Sequence, residues 1–258
     1  MFASLKAVLA PMRALGLIAV VLIASGCASG PGRTTTRDPL QGLNRGVYKF
    51  NDTLDRAALK PVAKGYRAVT PRWFRAGVGH FFSNLVYPTT IVNQILQGKP
   101  VLGLRDTGRF LLNTTIGIGG LLDVATPLGL EANDEDFGQT LAVWGISSGP
   151  FLTLPLFGPS SLRDAPSRIV DYFLDPLTYV DLSTGAQLGI RAVDLINSRS
   201  ELLSVDSTLQ STSDPYGFIR AAWAQQREFE IFDGDPPPES LEDVLEEEPE
   251  ESEAAEKK

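Results

Sequence analysis

The chain has 258 residues, of which 43% are hydrophobic, 21% charged and 9% aromatic, with one histidine, one cysteine and a formal net charge of −8 at pH 7. That length buries a sizeable core, in one large domain or two small ones. A lone histidine beside a lone cysteine excludes His/Cys metal sites and internal disulfides, and net acidity is the wrong sign for a nucleic-acid partner.

Lys6 and Arg13 precede the apolar run 14–24 (ALGLIAVVLIA), which ends at Ser25-Gly26-Cys27. A basic start, a short apolar core and small residues make a secretory signal over residues 1–26. The run is well short of the about 20 apolar residues of a spanning helix. IASGC resembles the lipobox of bacterial lipoproteins, with Ala24 where those proteins usually carry Leu. The resemblance implies acylation of Cys27, which becomes the first mature residue on a lipidated linker, 27–37. Several acyl chains at roughly 0.8 kcal/mol per buried methylene would make the anchor essentially permanent. Ala28 stands where an Asp would imply retention at the inner membrane, so the outer membrane is implied. A plain signal peptide cut nearby is the alternative.

The helical region, 38–232, opens with RDPLQGLNRGVYKFNDTLDRAALKP, where Leu43, Val47, Phe50, Leu54 and Ala57 recur at helical spacing. Pro61 begins a second short helix, PVAKGYRAV, and Pro71 ends it. PRWFRAGVGHFFSNL then sets Phe74, Val78, Phe81, Phe82 and Leu85 on one side, with Trp73 beside them. Short helices are expected over 88–97, closed by Gly98, and over 100–115, ended by the Gly-rich 117–120. Those glycines suit a tight turn or close backbone packing.

Asn133 is expected to cap a helix with Asp134, Glu135 and Asp136 in its first turn. GPFLTLPLFGP reads as an extended apolar connection, because its prolines rule out a central strand. Ser161-Leu-Arg-Asp164 has the form of a capping box for a helix through about Leu174. Helices over 185–198 and 214–232 complete a mainly α fold; in the last, Ile219, Trp223, Gln226 and Glu230 mark one face and Phe218, Ala222 and Phe229 its neighbour. The helices read as short, roughly ten to eighteen residues, and too short to span a bilayer. Two arrangements stay open: flat in one leaflet, or packed as a soluble helical domain.

From Asp233 onward the chain holds 12 acids and two lysines and too little apolar bulk to order itself, an acidic tail over 233–258. Residues 28–232 balance 19 basic against 19 acidic groups, yet 33–109 holds 13 basic and 4 acidic, and 110–232 holds 6 and 15. A basic half suits an anionic lipid surface, or is simply a solvated face.

Little points to catalysis. His80, between Gly79 and Phe81, reads as a packed or interfacial ring. Asp136-Phe-Gly lacks the other kinase motifs, 117–120 lacks the strand and GK[ST] of a phosphate loop, and the acids at 134–136 lack EF-hand spacing. No catalytic residue, metal site or cofactor is expected.

DPLQGLNRGVYKFNDTLD, NQILQGKP, RFLLNTTIGIGGLLDVA, FGQTLAVWGISSGPFLTLPLFGPSSLRD and DPYGFIRAAWAQQREFEIFDG together resemble the MlaA (VacJ) family of outer-membrane lipoproteins, in family order from about Asp38 to Gly234. The resemblance implies a ring of short amphipathic helices lying in one membrane leaflet, the inner leaflet of the outer membrane, around an amphipathic channel. Through it, misplaced phospholipids would pass toward the periplasm, beside trimeric porins, to the periplasmic carrier MlaC. In that frame Asn113, Thr114 and Thr115 are expected to face a polar passage, with Leu111, Leu112, Leu121 and Leu122 toward lipid or core. Tyr48, Phe50 and Asn51 are expected to help control its opening, or Phe50 to be a core residue. A zwitterionic or anionic headgroup needs such a wet route, because hydrocarbon costs it several kcal/mol. Two other readings remain: an adaptor lipoprotein that carries no lipid, and a lipid hydrolase using a serine such as Ser161.

Overall fold

Helix α1 (Gln41–Leu54) continues through one wider turn, Asp55–Leu59, into α2 (Lys60–Val69). In this computed structural model residue 34 and residues 38–238 are described; the signal segment, Cys27, the linker apart from Thr34, and the tail beyond 238 lie outside the described residues. Pro61 therefore sits inside a continuous helical run and does not begin a separate helix. The Lys60 N–H reaches back five residues to the Asp55 carbonyl, a register shift that accommodates the donor Pro61 lacks.

Helix α3 (Arg72–Leu96) is a single 25-residue helix with Pro88 inside it, where two short helices were expected. Its most extensive neighbour is α4 (Pro100–Thr115), and that packing outweighs the one backbone donor lost at Pro88. Among the described residues no helix is long and apolar enough to cross a membrane.

The next helix begins later than its sequence signal. In α5 (Phe137–Val143) the cap is Asp136, whose carboxylate accepts the Gln139 N–H at 2.8 Å. Asn133 is engaged elsewhere, donating to Asp106 at 2.9 Å, so Asp134 and Glu135 precede the helix instead of filling its first turn.

The apolar connection pairs with itself. Strands β1 (Phe151–Leu154) and β2 (Gly158–Ser161) form an antiparallel hairpin with Phe151 opposite Ser161. Both are edge strands, where Pro159 is tolerated. Asn51 fixes the turn by donating to the Leu154 carbonyl at 3.0 Å and accepting the Leu156 N–H at 2.9 Å.

Helix α6 (Asp164–Leu174) follows, with the Ser161 hydroxyl accepting the Asp164 N–H at 3.0 Å. Only half of the capping box forms, because the Asp164 carboxylate turns to Arg163 and Arg227. Helices α7 (Thr184–Glu201), α8 (Asp206–Ser211) and α9 (Pro215–Ile231) complete the chain.

The helices are turned outside in. Among the described residues, buried polar side chains outnumber buried apolar ones about three to one, while Val69 is 81% exposed, Trp73 76% and Leu104 73%. Along α1 the inward residue is Asn44, which donates to the Phe151 carbonyl and accepts the Thr153 N–H, while Leu43, Phe50 and Leu54 face out. On α9 the buried set is Tyr216, Arg220, Ala224, Arg227, Glu228 and Ile231, neither of the two faces expected from spacing. A water-soluble domain buries such apolar stripes and exposes such charges.

Candidate functional site

Three openings lie along the inward polar faces. One, about 300 Å³, lies beneath α1 and is lined by Tyr48, Asn51, Asp55, Arg199, Asp206 and Tyr216, with Leu202, Val205 and Ile219 as apolar wall. A second, about 400 Å³, is faced by α6. A third, about 480 Å³, lies between α3, α4 and the chain that follows α4. The second and third share Val86, Thr90 and Asp134, so they adjoin, and Asp134 is their common charged residue among the described residues.

The third chamber explains the composition of residues 109–130. Arg109 donates to Asp123 at 2.8 Å, to the Thr126 hydroxyl at 2.8 Å and to the Leu130 carbonyl. Asn113 donates to Asp123 and accepts the Val124 and Ala125 N–H groups at 2.9 and 3.0 Å. These polar residues fold the segment back onto α4, while Leu111, Leu121 and Leu122 remain exposed and Leu112 half-buried. Gly117 closes the turn: a Cβ there would meet the Leu122 and Asn113 carbonyl oxygens at 2.3 and 2.4 Å. Burial opposes ionisation of Asp123, but the hydrogen bonds from Thr126, Arg109 and Asn113 outweigh it and hold its pKa below the usual carboxylate range.

The residues singled out from sequence separate accordingly. Asn113 is buried and lines the third chamber. Thr114 is exposed; its hydroxyl accepts from Asn84, itself a lining residue, at 2.9 Å. Thr115 is exposed and returns its hydroxyl to the Leu111 carbonyl. Tyr48 and Asn51 line the chamber beneath α1, where Tyr48 meets the Tyr216 ring edge-on at 5.8 Å. Phe50 points away, 53% exposed on the outer face. Ser161 is fully buried, its hydroxyl accepting the Asp164 N–H at the start of α6, and His80 lines the third chamber.

Beneath α1 each lining carboxylate has a cation. Arg199 donates to Asp55 at 2.8 Å and to Asp206 at 2.8 Å, Lys60 meets Asp206 at 2.8 Å, and Arg56 meets Asp52 at 2.9 Å. Those partners, working against burial, lower the Asp206 pKa.

The α6 chamber is different. Its lining includes Asp134, Glu135, Asp136, Asp164, Asp171 and Asp175 against Arg168, Arg191 and Arg227. Arg227, 6% exposed, holds Asp136 at 2.7 Å and Asp164 at 3.2 Å; Arg191 holds Asp175 at 2.9 Å, and Lys99 stands 3.7 Å from Glu135. Among the described residues Asp134 and Asp171 have no such ion pair, although Asp171 accepts the Phe137 N–H at 2.9 Å. Burial, reinforced by the Asp136 charge, pushes the Asp171 carboxyl up to about 6; Asp134, though itself exposed, is raised by the partial loss of solvation in the chamber and by the Glu230 and Asp136 charges. The sequence signal for this wall is the spacing Asp164, Ser167, Arg168, Asp171, Tyr172, Asp175 along one side of α6, with Ile169 and Phe173 exposed on the other. A reading confined to caps and apolar periodicity passes over it.

The MlaA lipoprotein family model matches residues 36–230. The chain belongs to the MlaA lipoprotein family. It is 37% identical over 223 residues to the intermembrane phospholipid transport system lipoprotein MlaA of Escherichia coli K12, covering 84% of this chain and 87% of the relative. It is 40% identical over 196 residues to an uncharacterized protein of Rickettsia typhi, covering 75% and 78%. A solved structure concerned with the maintenance of bacterial outer membrane lipid asymmetry superposes with a TM-score of 0.67 at 37% identity, covering 75% of this chain and 98% of that one. The mainly helical fold is thus that of MlaA.

Proposed function

We propose that this chain is an outer-membrane lipoprotein, anchored through Cys27 on the periplasmic side, that passes misplaced phospholipids from the outer leaflet through its polar interior toward a periplasmic carrier. The carrier is MlaC, and trimeric porins stand beside the ring. The reading rests on the inverted burial: a charged, chambered interior inside an apolar exterior, with no helix among the described residues able to cross the membrane. Such a body fits a single leaflet, where Leu104, Val101 and Trp73 meet acyl chains and the chambers stay hydrated. The names of the curated relatives agree with phospholipid as cargo.

The chain's own residues supply positioning and water, and no covalent step is needed. A headgroup moving along Asn84, Asn113 and Thr90 exchanges water for hydrogen bonds without entering hydrocarbon, where it would lose several kcal/mol. Direction then comes from the partners or from the lipid gradient. The test places a genetically encoded nitroxide at Leu104 or at Ser83, a lining residue of the third chamber, in the full-length lipidated protein in vesicles. Leu104 is expected to be relaxed by oxygen and shielded from a water-soluble nickel chelate, with Ser83 the reverse. Equal access of the chelate to both positions would overturn the leaflet-embedded ring.

A further inference from the structure

Within that reading, the α6 chamber holds an uneven set of charges. Among the described residues two carboxylates, Asp134 and Asp171, lack an ion pair, while the remaining lining carboxylates each have an Arg or Lys within 4.0 Å. One guanidinium, Arg168, is left over in the opposite sense: it is exposed at the chamber's edge with no ion pair among the described residues, lying over the Phe157 ring at 5.8 Å. Two further lining groups wait for partners. The Ser160 and Thr89 hydroxyls, 1% and 8% exposed, have no hydrogen-bond partner among the described residues. Buried hydroxyls are normally satisfied by a hydrogen-bond partner.

We infer that this chamber selects phospholipids whose headgroup carries a primary ammonium, as in a phosphoethanolamine group, with Asp134 and Asp171 taking the ammonium and Arg168 the phosphate. The proposal rests on the phospholipid-passage reading above and names the cargo's headgroup class. A zwitterion matches one cation and two anions that lack an ion pair within one chamber, although Asp171 also accepts the Phe137 N–H at 2.9 Å. Its ammonium has three donors for carboxylates and the Ser160 or Thr89 hydroxyl, and its phosphate accepts the planar guanidinium fork. A phosphoglycerol headgroup offers the phosphate but no cation, and brings a further negative charge beside two unpaired carboxylates. A quaternary trimethylammonium offers charge without N–H donors.

The position of Asp134 makes this selection part of the route. It lines both the α6 chamber and the third chamber, so an ammonium held there stands at their junction. Asp136, Asp164 and Asp175 are already engaged by Arg227 and Arg191, and Glu135 by Gln97 and Lys99. They shape the chamber without competing for the headgroup.

The experiment is native mass spectrometry of the full-length protein released from nanodiscs holding equal amounts of phosphatidylethanolamine, phosphatidylglycerol and phosphatidylcholine with matched acyl chains. Wild type is expected to retain phosphatidylethanolamine at least fivefold over each of the others. Asp134→Asn/Asp171→Asn, with its fold checked by circular dichroism, is expected to fall to within twofold of equal retention; Asp134→Asn alone is the fallback and is expected to give an intermediate ratio. Equal retention by wild type, or preference for phosphatidylglycerol, would overturn the headgroup inference while leaving the passage intact. Preference for phosphatidylglycerol that EDTA removes would assign the carboxylates to a bridging cation, which also overturns it. Wild type retaining no phospholipid would overturn the passage reading itself.

Discussion

The chamber beneath α1 and the chamber faced by α6 are made of the same residue types, aspartates and arginines around an opening of 300–400 Å³, but their charges are settled differently. Under α1, Arg199, Lys60 and Arg56 account for Asp55, Asp206 and Asp52. Along α6, Asp134 and Asp171 have no ion pair among the described residues. A carboxylate that is paired within the protein holds the fold together, whereas one kept near a cavity without a cation costs stability and is available to a ligand. The comparison predicts opposite signs for substitutions in otherwise similar surroundings.

The largest effect belongs to Arg227, because its removal strands Asp136 beside Asp171 and leaves Asp164 to Arg163 alone. Arg227→Leu is expected to destabilise by about 3–5 kcal/mol, read as a lowered unfolding temperature in detergent. Arg199→Leu frees Asp55 but leaves Lys60 on Asp206, and the site is more open to water, so a loss of roughly 1–2 kcal/mol is expected in the same assay.

Asp171→Asn reverses the sign. A carboxyl whose folded pKa stands at about 6, above the unfolded value near 4, binds its proton more readily when folded. Its contribution to stability therefore grows as pH falls from about 7 to about 4, and ionisation at pH 7 works against folding. The Asn variant is expected to be more stable at pH 7 by about 1 kcal/mol, after allowance for screening by cavity water. Its unfolding temperature should also lack the wild-type rise between pH 7 and pH 5 attributable to this group. If Asp171→Asn destabilises, the distinction between the chambers fails. The smallest effect is at Arg56, 64% exposed in its pair with Asp52: Arg56→Ala should lie within about 0.5 kcal/mol of wild type.

Much of the helical layout was legible because spacing and punctuation are local. The helix at 100–115, the start of α6 beneath Ser161, and the Gly-rich turn after α4 follow from residues next to one another. The prolines misled where tertiary packing decided the outcome: Pro61 sits behind a widened turn and Pro88 rides inside α3. Asn133 failed as a cap because Asp106, 27 residues away, claims it.

The direction each face points was harder still. Leu43, Phe50 and Leu54 mark one side of α1, but an amphipathic pattern says only that two faces differ, and it reads identically whether the apolar one meets a core or a bilayer. Only the assembled fold places Asn44, Tyr48 and Asn51 inward. The α6 wall was legible in its spacing and carries the least local signal, since unpaired charge is a property of neighbours brought together from α3, the 134–136 segment and α6.

The most direct test of the central claim is in-cell photocrosslinking from Ser83, which lines the third chamber, with Leu104 on the outer face as reference. If phospholipids travel through the polar interior, a crosslinker at Ser83 captures intact phospholipid through its headgroup, and the yield rises when phospholipid accumulates in the outer leaflet. At Leu104 capture is through acyl chains and does not change with that accumulation. A Ser83 crosslinker that yields only neighbouring protein under both conditions would contradict the account.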